Sequence, residues 1–227
     1  MYRTRVKICG ICRPRDAMAA ANEGADAIGM VFHTAAPRCV TMDQARQIAA
    51  CLPPMISTVG LFVNASAEEI RRVMAEISLT TVQLHGDETP EFVAQLKPTP
   101  VIKAIRVDDQ LTQTLQKWRR AIVELDLTNL TGFVMETANA GAPGGTGVAN
   151  DWKAIETLKQ IGAFEGLPCL IAAGGLTPMN VAAVVQSIRP FAVDVSSGVE
   201  SAKREKSIAK IEAFMRAVHT ADQSLGE

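Results

Sequence analysis

No sign of charge dominates this sequence: 23 Lys and Arg stand against 24 Asp and Glu, for a net charge of −1. There is no Lys/Arg block either, so nothing draws the chain toward nucleic acid. No apolar run approaches the roughly 18 residues that a membrane-spanning helix requires. Met1 to Val6 enters an apolar strand at once, which leaves no room for a signal peptide. The five cysteines are Cys9, Cys12, Cys39, Cys51 and Cys169. An odd count in a chain of this size disfavours a disulfide framework and points to a reducing cytoplasm. Cys9 and Cys12 form a CxxC, but His33, His85 and His219 supply no second ligand pair, so no metal is expected. No composition break or linker divides the chain, and no half-length repeat is visible. What remains is an ordinary globular composition, 48% hydrophobic and 21% charged. A chain of 227 residues buries most of its apolar surface and is close to the ~250 typical of a (β/α)8 barrel.

Short apolar runs alternate with longer amphipathic ones. The expected strands are Arg5 to Cys9, Ala27 to Phe32, Ser57 to Val63, Thr81 to His85, Pro100 to Ile105, Gly132 to Glu136, Cys169 to Gly174 and Phe191 to Ser196. Most are rich in β-branched residues, and near-continuous apolar runs suit strands covered on both faces. The expected helices are Arg15 to Glu23, Met42 to Cys51, Ala67 to Ile77, Glu88 to Leu96, Gln110 to Arg120, Asp151 to Ile161, Pro178 to Ser187 and Lys206 to Val218. Ser66 with Glu69 spells a capping box. Thr177 before Pro178 reads as an N-cap followed by proline at the first helical position. Strand-then-helix alternation implies a parallel sheet with right-handed crossovers, and eight units favour closure. The fold class is α/β: a single TIM barrel over residues 1–219, with a polar tail from Thr220 to Glu227 that is expected to fray.

In such barrels chemistry sits at strand C-termini and in the loops after them. The reactive side chains expected there are Cys9 after strand one, Arg38 after strand two, Gln83 and His85 at strand four, Glu136 at strand six and Asp194 at strand eight. Two small-residue turns follow strands seven and eight: Gly174-Gly175, and Ser196-Ser197-Gly198. Each alone is an ordinary tight turn. Together, at adjacent strand ends, they suit a phosphate held by backbone N–H groups and serine hydroxyls. Gly144-Gly145-Thr146-Gly147 after strand six is either a substrate-covering loop or an exposed turn; it lacks the dinucleotide spacing. Lys7 shares the inward side of strand one with Cys9 and reads as interior packing.

In order and spacing these motifs resemble the phosphoribosylanthranilate isomerase family of tryptophan biosynthesis. The likeness runs nearly end to end through VKICGI, GADAIGMVF, Pro37-Arg38, VGLFVN, VQLHGDE, VIKAI, GGTG before Asp151-Trp152, AGGLTP with Asn180-Val181, and FAVDVSSGVE. The resemblance implies a cofactor-free Amadori rearrangement of an aminoaldose phosphate to an aminoketose. It implies Cys9 as the general base that takes the C2′ proton of the opened sugar, and the strand-six acid as the donor to the ribose ring oxygen. It assigns Arg38 to the anthranilate carboxylate. A planar guanidinium suits that bidentate task. It assigns Gly174, Gly175, Ser196, Ser197 and Gly198 to the phosphate, and leaves Gln83, His85 and Asp194 as substrate-facing groups. The expected partner is a small phosphorylated metabolite, with neither nucleic acid nor membrane, and the chain acts as monomer or homodimer.

Two departures stand out. The family's strand-six acid is usually aspartate, whereas this chain has Glu136, and Asp126 in VELD is a rival for the role. The family also often continues after SSGVE with glycine and then Lys-Asp, where this chain has Arg204, Lys206 and Ser207, a region expected outside the catalytic shell. These departures leave open a paralogue with altered activity or a non-catalytic phosphosugar-binding barrel.

Overall fold

A computed structural model describes residues 3–137 and 152–225. The β-branched runs form eight parallel strands: β1 (Arg5–Ile8), β2 (Ala27–Val31), β3 (Ser57–Phe62), β4 (Thr81–Leu84), β5 (Val101–Val107), β6 (Leu130–Thr137), β7 (Cys169–Ala172) and β8 (Ala192–Val195). Each strand pairs with the next, and β8 pairs with β1, so the sheet closes into a barrel. The helices between and after them are α1 (Pro14–Asn22), α2 (Met42–Cys51), α3 (Ala67–Glu76), α4 (Pro90–Gln95), α5 (Leu111–Glu124), α6 (Trp152–Gln160), α7 (Val181–Ile188) and α8 (Ile208–Ser224).

Strand alternation divides the buried residues into two cores. Val6 and Ile8 point outward into a large aliphatic layer that also holds Phe62, Phe133 and Phe214 and lies between sheet and helices. The barrel interior is closed by a smaller plug of Val59, Ile102, Val134, Ile171 and Ala192. Above the plug, on the inward face, the interior turns polar: Lys7, Gln83 and Asp194 are all buried there. Local signals set most helix starts. Thr41 and Gln44 complete a reciprocal capping box, and the Ser66 hydroxyl accepts from the Glu69 N–H.

Three elements differ from expectation. The tail does not fray at Thr220. Helix α8 continues to Ser224 because its apolar stripe, Ile211, Phe214, Val218 and Ala221, keeps helical spacing past that point. Asp222 is buried and accepts from both the N–H and the hydroxyl of Thr4, at 2.8 and 2.7 Å. Thr177 does not cap a helix that begins at Pro178: residues 178–180 form a hydrogen-bonded turn, and α7 starts one turn later. The cause is Asn180, whose side chain accepts from the Thr177 N–H and donates to the Gly175 carbonyl. After β8, a short 3₁₀ turn (Ser197–Val199) leads into an unforeseen hairpin, β9 (Glu200–Ala202) and β10 (Glu205–Lys206). The loop holding Gly144 to Gly147 lies outside the described residues.

Candidate active site

The first wall of the barrel mouth is built by β1, β2 and β8. Register places Lys7 beside Asp194 on one side and Ala27 on the other. The Lys7 Nζ donates to Asp194 Oδ2 at 2.7 Å, with both side chains buried. Two residues on, Cys9 faces the same way. Burial pushes its thiol above the ordinary value, and the neighbouring Lys7 ammonium pulls it only part of the way back. Burial also works against the Lys7 ammonium, but Asp194 and Cys9 together outweigh it and hold this lysine above its ordinary value. A Cβ on Gly29 would lie 2.9 Å from Cys9 Sγ and 3.1 Å from Lys7 Nζ. The thiol and the ammonium therefore border one gap that only glycine leaves open.

The second wall comes from β4 and β6. Gln83, buried in β4, donates from Nε2 to His85 Nδ1 at 3.1 Å. With Nδ1 accepting, the imidazole proton sits on Nε2. That Nε2 lies 2.5 Å from Oε2 of Glu136, at the inward-facing end of β6. One hydrogen-bonded chain thus runs from Gln83 through His85 to the Glu136 carboxylate. The rival carboxyl lies elsewhere. Asp126 is in the turn between α5 and β6, at the strand-entry end of the barrel, highly exposed and 3.5 Å from Lys97. It cannot share a pocket with Cys9.

Arg38 is fixed rather than open. Its Nε and Nη2 both donate to Glu200, at 2.7 Å each, in a fork-to-fork pair. Lys206 joins from β10, donating to Glu200 Oε1 at 3.3 Å and to the Ser196 carbonyl at 2.9 Å. The Lys206 side chain is almost completely buried. The segment expected outside the catalytic shell thus folds back onto the turn after β8 and contacts the partner of Arg38. Burial opposes the Glu200 carboxylate, but the Arg38 guanidinium and the Lys206 ammonium outweigh that effect and hold it below the usual carboxylate range.

The glycine turns converge on the same place. A Cβ on Gly10 would meet Arg38 Cδ at 2.5 Å and Ser196 Oγ at 2.9 Å, and one on Gly198 would meet the Leu176 carbonyl oxygen at 1.9 Å. The turns after β1, β7 and β8 thus pack against one another. Gly174 and Gly175 adopt φ of 91° and 64°, a region open to glycine. Among the described residues their amides donate to no backbone carbonyl, unlike the amides of the flanking turns. Main-chain amides that the fold leaves without a carbonyl are the groups with which turns of this kind can bind an anion.

The structure thus brings Cys9, Arg38, Gln83, His85, Glu136, Asp194 and both turns to one mouth. The residue-by-residue reading did not foresee Glu200, Lys206 or Asn180. A buried glutamate demands a partner, but nothing in the sequence says which.

The same arrangement has close relatives. Residues 6–217 match the family model for N-(5'-phosphoribosyl)anthranilate (PRA) isomerase. The chain is 47% identical over 222 residues to the N-(5'-phosphoribosyl)anthranilate isomerase of Pseudomonas syringae pv. tomato, covering 96% of this chain and 99% of that one. Identity to the enzyme of that name from Pseudomonas putida is also 47%, over 97% of this chain and all of its relative. Among solved structures, phosphoribosyl anthranilate isomerase from Thermotoga maritima superposes with a TM-score of 0.81 at 33% identity, over 96% of this chain and 99% of that one. A further isomerase structure, in complex with reduced 1-(o-carboxyphenylamino)-1-deoxyribulose 5-phosphate, gives 0.78 at 33% identity over the same shares. The matches span nearly the full length of this chain and of these relatives: the chain belongs to the N-(5'-phosphoribosyl)anthranilate isomerase family.

Proposed function

We propose that the mouth isomerises N-(5'-phosphoribosyl)anthranilate to 1-(o-carboxyphenylamino)-1-deoxyribulose 5-phosphate in tryptophan biosynthesis, with Cys9 as base and Glu136 as acid. Protonation of the ribose ring oxygen lets the C1′–O bond break, and the nitrogen lone pair forms the iminium. Removal of the C2′ proton by the Cys9 thiolate returns the electron pair to nitrogen and gives the enolamine, which tautomerises to the ketone. Such proton transfers contribute roughly 100- to 10,000-fold each. Acid and base must reach different faces of one small molecule, and β1 and β6 lie three strand steps apart around the ring.

The single observation that carries this reading is that Cys9 after β1, Glu136 near the end of β6 and the glycine and serine turns after β7 and β8 all stand at the strand-exit end of one closed barrel. The His85 contact ties down Glu136 Oε2 and so absorbs the extra methylene of glutamate. Glu200 orients Arg38, whose Nη1 is the donor available to the anthranilate carboxylate. Gln83, His85 and Asp194 line the substrate's path. Among the described residues every cysteine is a free thiol, which suits a reducing cytoplasm.

Rescue of a tryptophan auxotroph lacking the isomerase tests the reaction. Growth on minimal medium is expected, and loss of growth on Cys9→Ala substitution. Binding of the phosphorylated product without turnover would instead make this a non-catalytic barrel.

A further inference from the structure

The mechanism leaves Lys7 without a role, although it is a buried cation within reach of the reacting thiol. We propose that Lys7 is a positioning residue whose ammonium, clamped by Asp194, favours ionisation of the Cys9 thiol across the gap left by Gly29. The inference rests on the reading of Cys9 as base.

Four observations carry it. Lys7 and Cys9 alternate on one strand and face inward together, while Val6 and Ile8 face the helices. The Gly29 position touches both Sγ and Nζ, at 2.9 and 3.1 Å from an added Cβ, so the two groups share a gap that a methyl would fill. Asp194 Oδ2 holds the ammonium at 2.7 Å and so keeps the lysine charged inside the barrel. Asp194 Oδ1 is buried with no hydrogen-bond partner among the described residues, so the carboxylate is not saturated by the fold. A lysine serving only as packing filler would be replaceable by methionine and would need no carboxylate in the interior.

Thiolate chemistry supplies the reason. Only the thiolate takes a proton, and burial alone disfavours it. The charges facing Cys9 are Lys7 from its own strand, Asp194 from β8, Lys206 from β10 and Arg38 from the loop after β2. Strand β2 contributes Gly29, which adds none. Lys206 and Arg38 are themselves engaged with Glu200. Among the described residues, Lys7 is the cation whose only carboxylate partner lies on the same inward face as the thiol.

The test is a titration of the Cys9 thiolate by ultraviolet absorbance, taken as the difference between each protein and its Cys9→Ser counterpart. Lys7→Met is expected to raise the midpoint by about one unit or more, a tenfold loss of thiolate at fixed pH. Asp194→Asn is expected to lower it, because the competing anion is gone and the Cys9 thiolate takes its place as the counterion that keeps Lys7 charged. A purely structural pair would destabilise the barrel in both variants without moving the midpoint in opposite directions. Unchanged midpoints in both, or movement in the same direction, would overturn the proposal. If Lys7→Met does not fold, the double variant Lys7→Met/Asp194→Asn leaves no lone buried charge, and its midpoint must still lie above that of the parent. Full turnover by Cys9→Ala would remove the base assignment, yet leave the titration shifts intact, so the two failures are separable.

Discussion

At the scale of single residues, the feature that departs from the resemblance is Glu136, a glutamate where an aspartate was expected at the end of strand six. A misplacement of about 1 Å can cost roughly 100-fold in rate, so Glu136 in the proposed role of acid needs an anchor, and His85 lies 2.5 Å from it. The anchor is itself oriented by Gln83, which leaves the imidazole no freedom to offer its other nitrogen. Glu136→Gln is expected to lower kcat by roughly 100- to 10,000-fold, while Asp126→Asn leaves it within about twofold, since that side chain is exposed at the far end of the barrel. Steady-state kinetics on the two variants checks this; loss of activity in Asp126→Asn with Glu136→Gln intact would reverse the assignment. The choice between the two carboxyls was open in the sequence because both lie near a strand-six pattern. Only the strand's true start at Leu130 puts one at each end of it.

At the scale of elements, buried ion pairs tie loops to the barrel rim. Lys103 in β5 lies 3.1 Å from Glu88, and both side chains are buried. Glu88 also accepts from the Asn64 and Gly86 amides, so one carboxylate fastens the loops after β3 and β4. Lys103→Met would strand that carboxylate, and a loss of about 3–5 kcal/mol is expected in denaturant unfolding. The β9–β10 hairpin is held by Glu200 through Arg38 and Lys206. The carboxyl's folded pKa is depressed. Its contribution to stability is therefore present above the unfolded value of about 4.3 and fades as pH falls toward the lower folded value. Glu200→Gln is expected to cost about 2–3 kcal/mol at neutral pH, with the gap to the parent closing below about pH 4. A gap that stays constant through acid titration would contradict this. The hairpin was missed from sequence because its strands have two and three residues, too few for any alternation to register.

At the scale of the whole molecule, closure is made twice. The sheet closes where β8 pairs with β1, and the helical layer closes where the end of α8 meets the start of the chain. Asp222 accepts two hydrogen bonds from Thr4, which lies just before β1. Asp222→Ala is expected to destabilise the fold by roughly 1–3 kcal/mol by leaving the buried Thr4 donors unpaired, measured as a shift of the unfolding midpoint with the transition still single. A second, separate transition would mean that α8 unfolds on its own and that the clasp is local. The helical spacing from Ile211 to Ala221 was present in the sequence, but the polar residues around it made a frayed tail the simpler reading.

The sequence by itself determined the alternation of strand and helix, the number of units and the set of reactive side chains at strand ends. These depend on local periodicity and on turn chemistry that neighbouring residues carry. Tertiary structure decided which of those side chains are partners. Arg38 with Glu200, Lys7 with Asp194 and His85 with Glu136 are pairs between distant segments, formed only once the ring of strands closes. A buried charge must find its counterion somewhere in the fold, but the chain's local grammar does not say where.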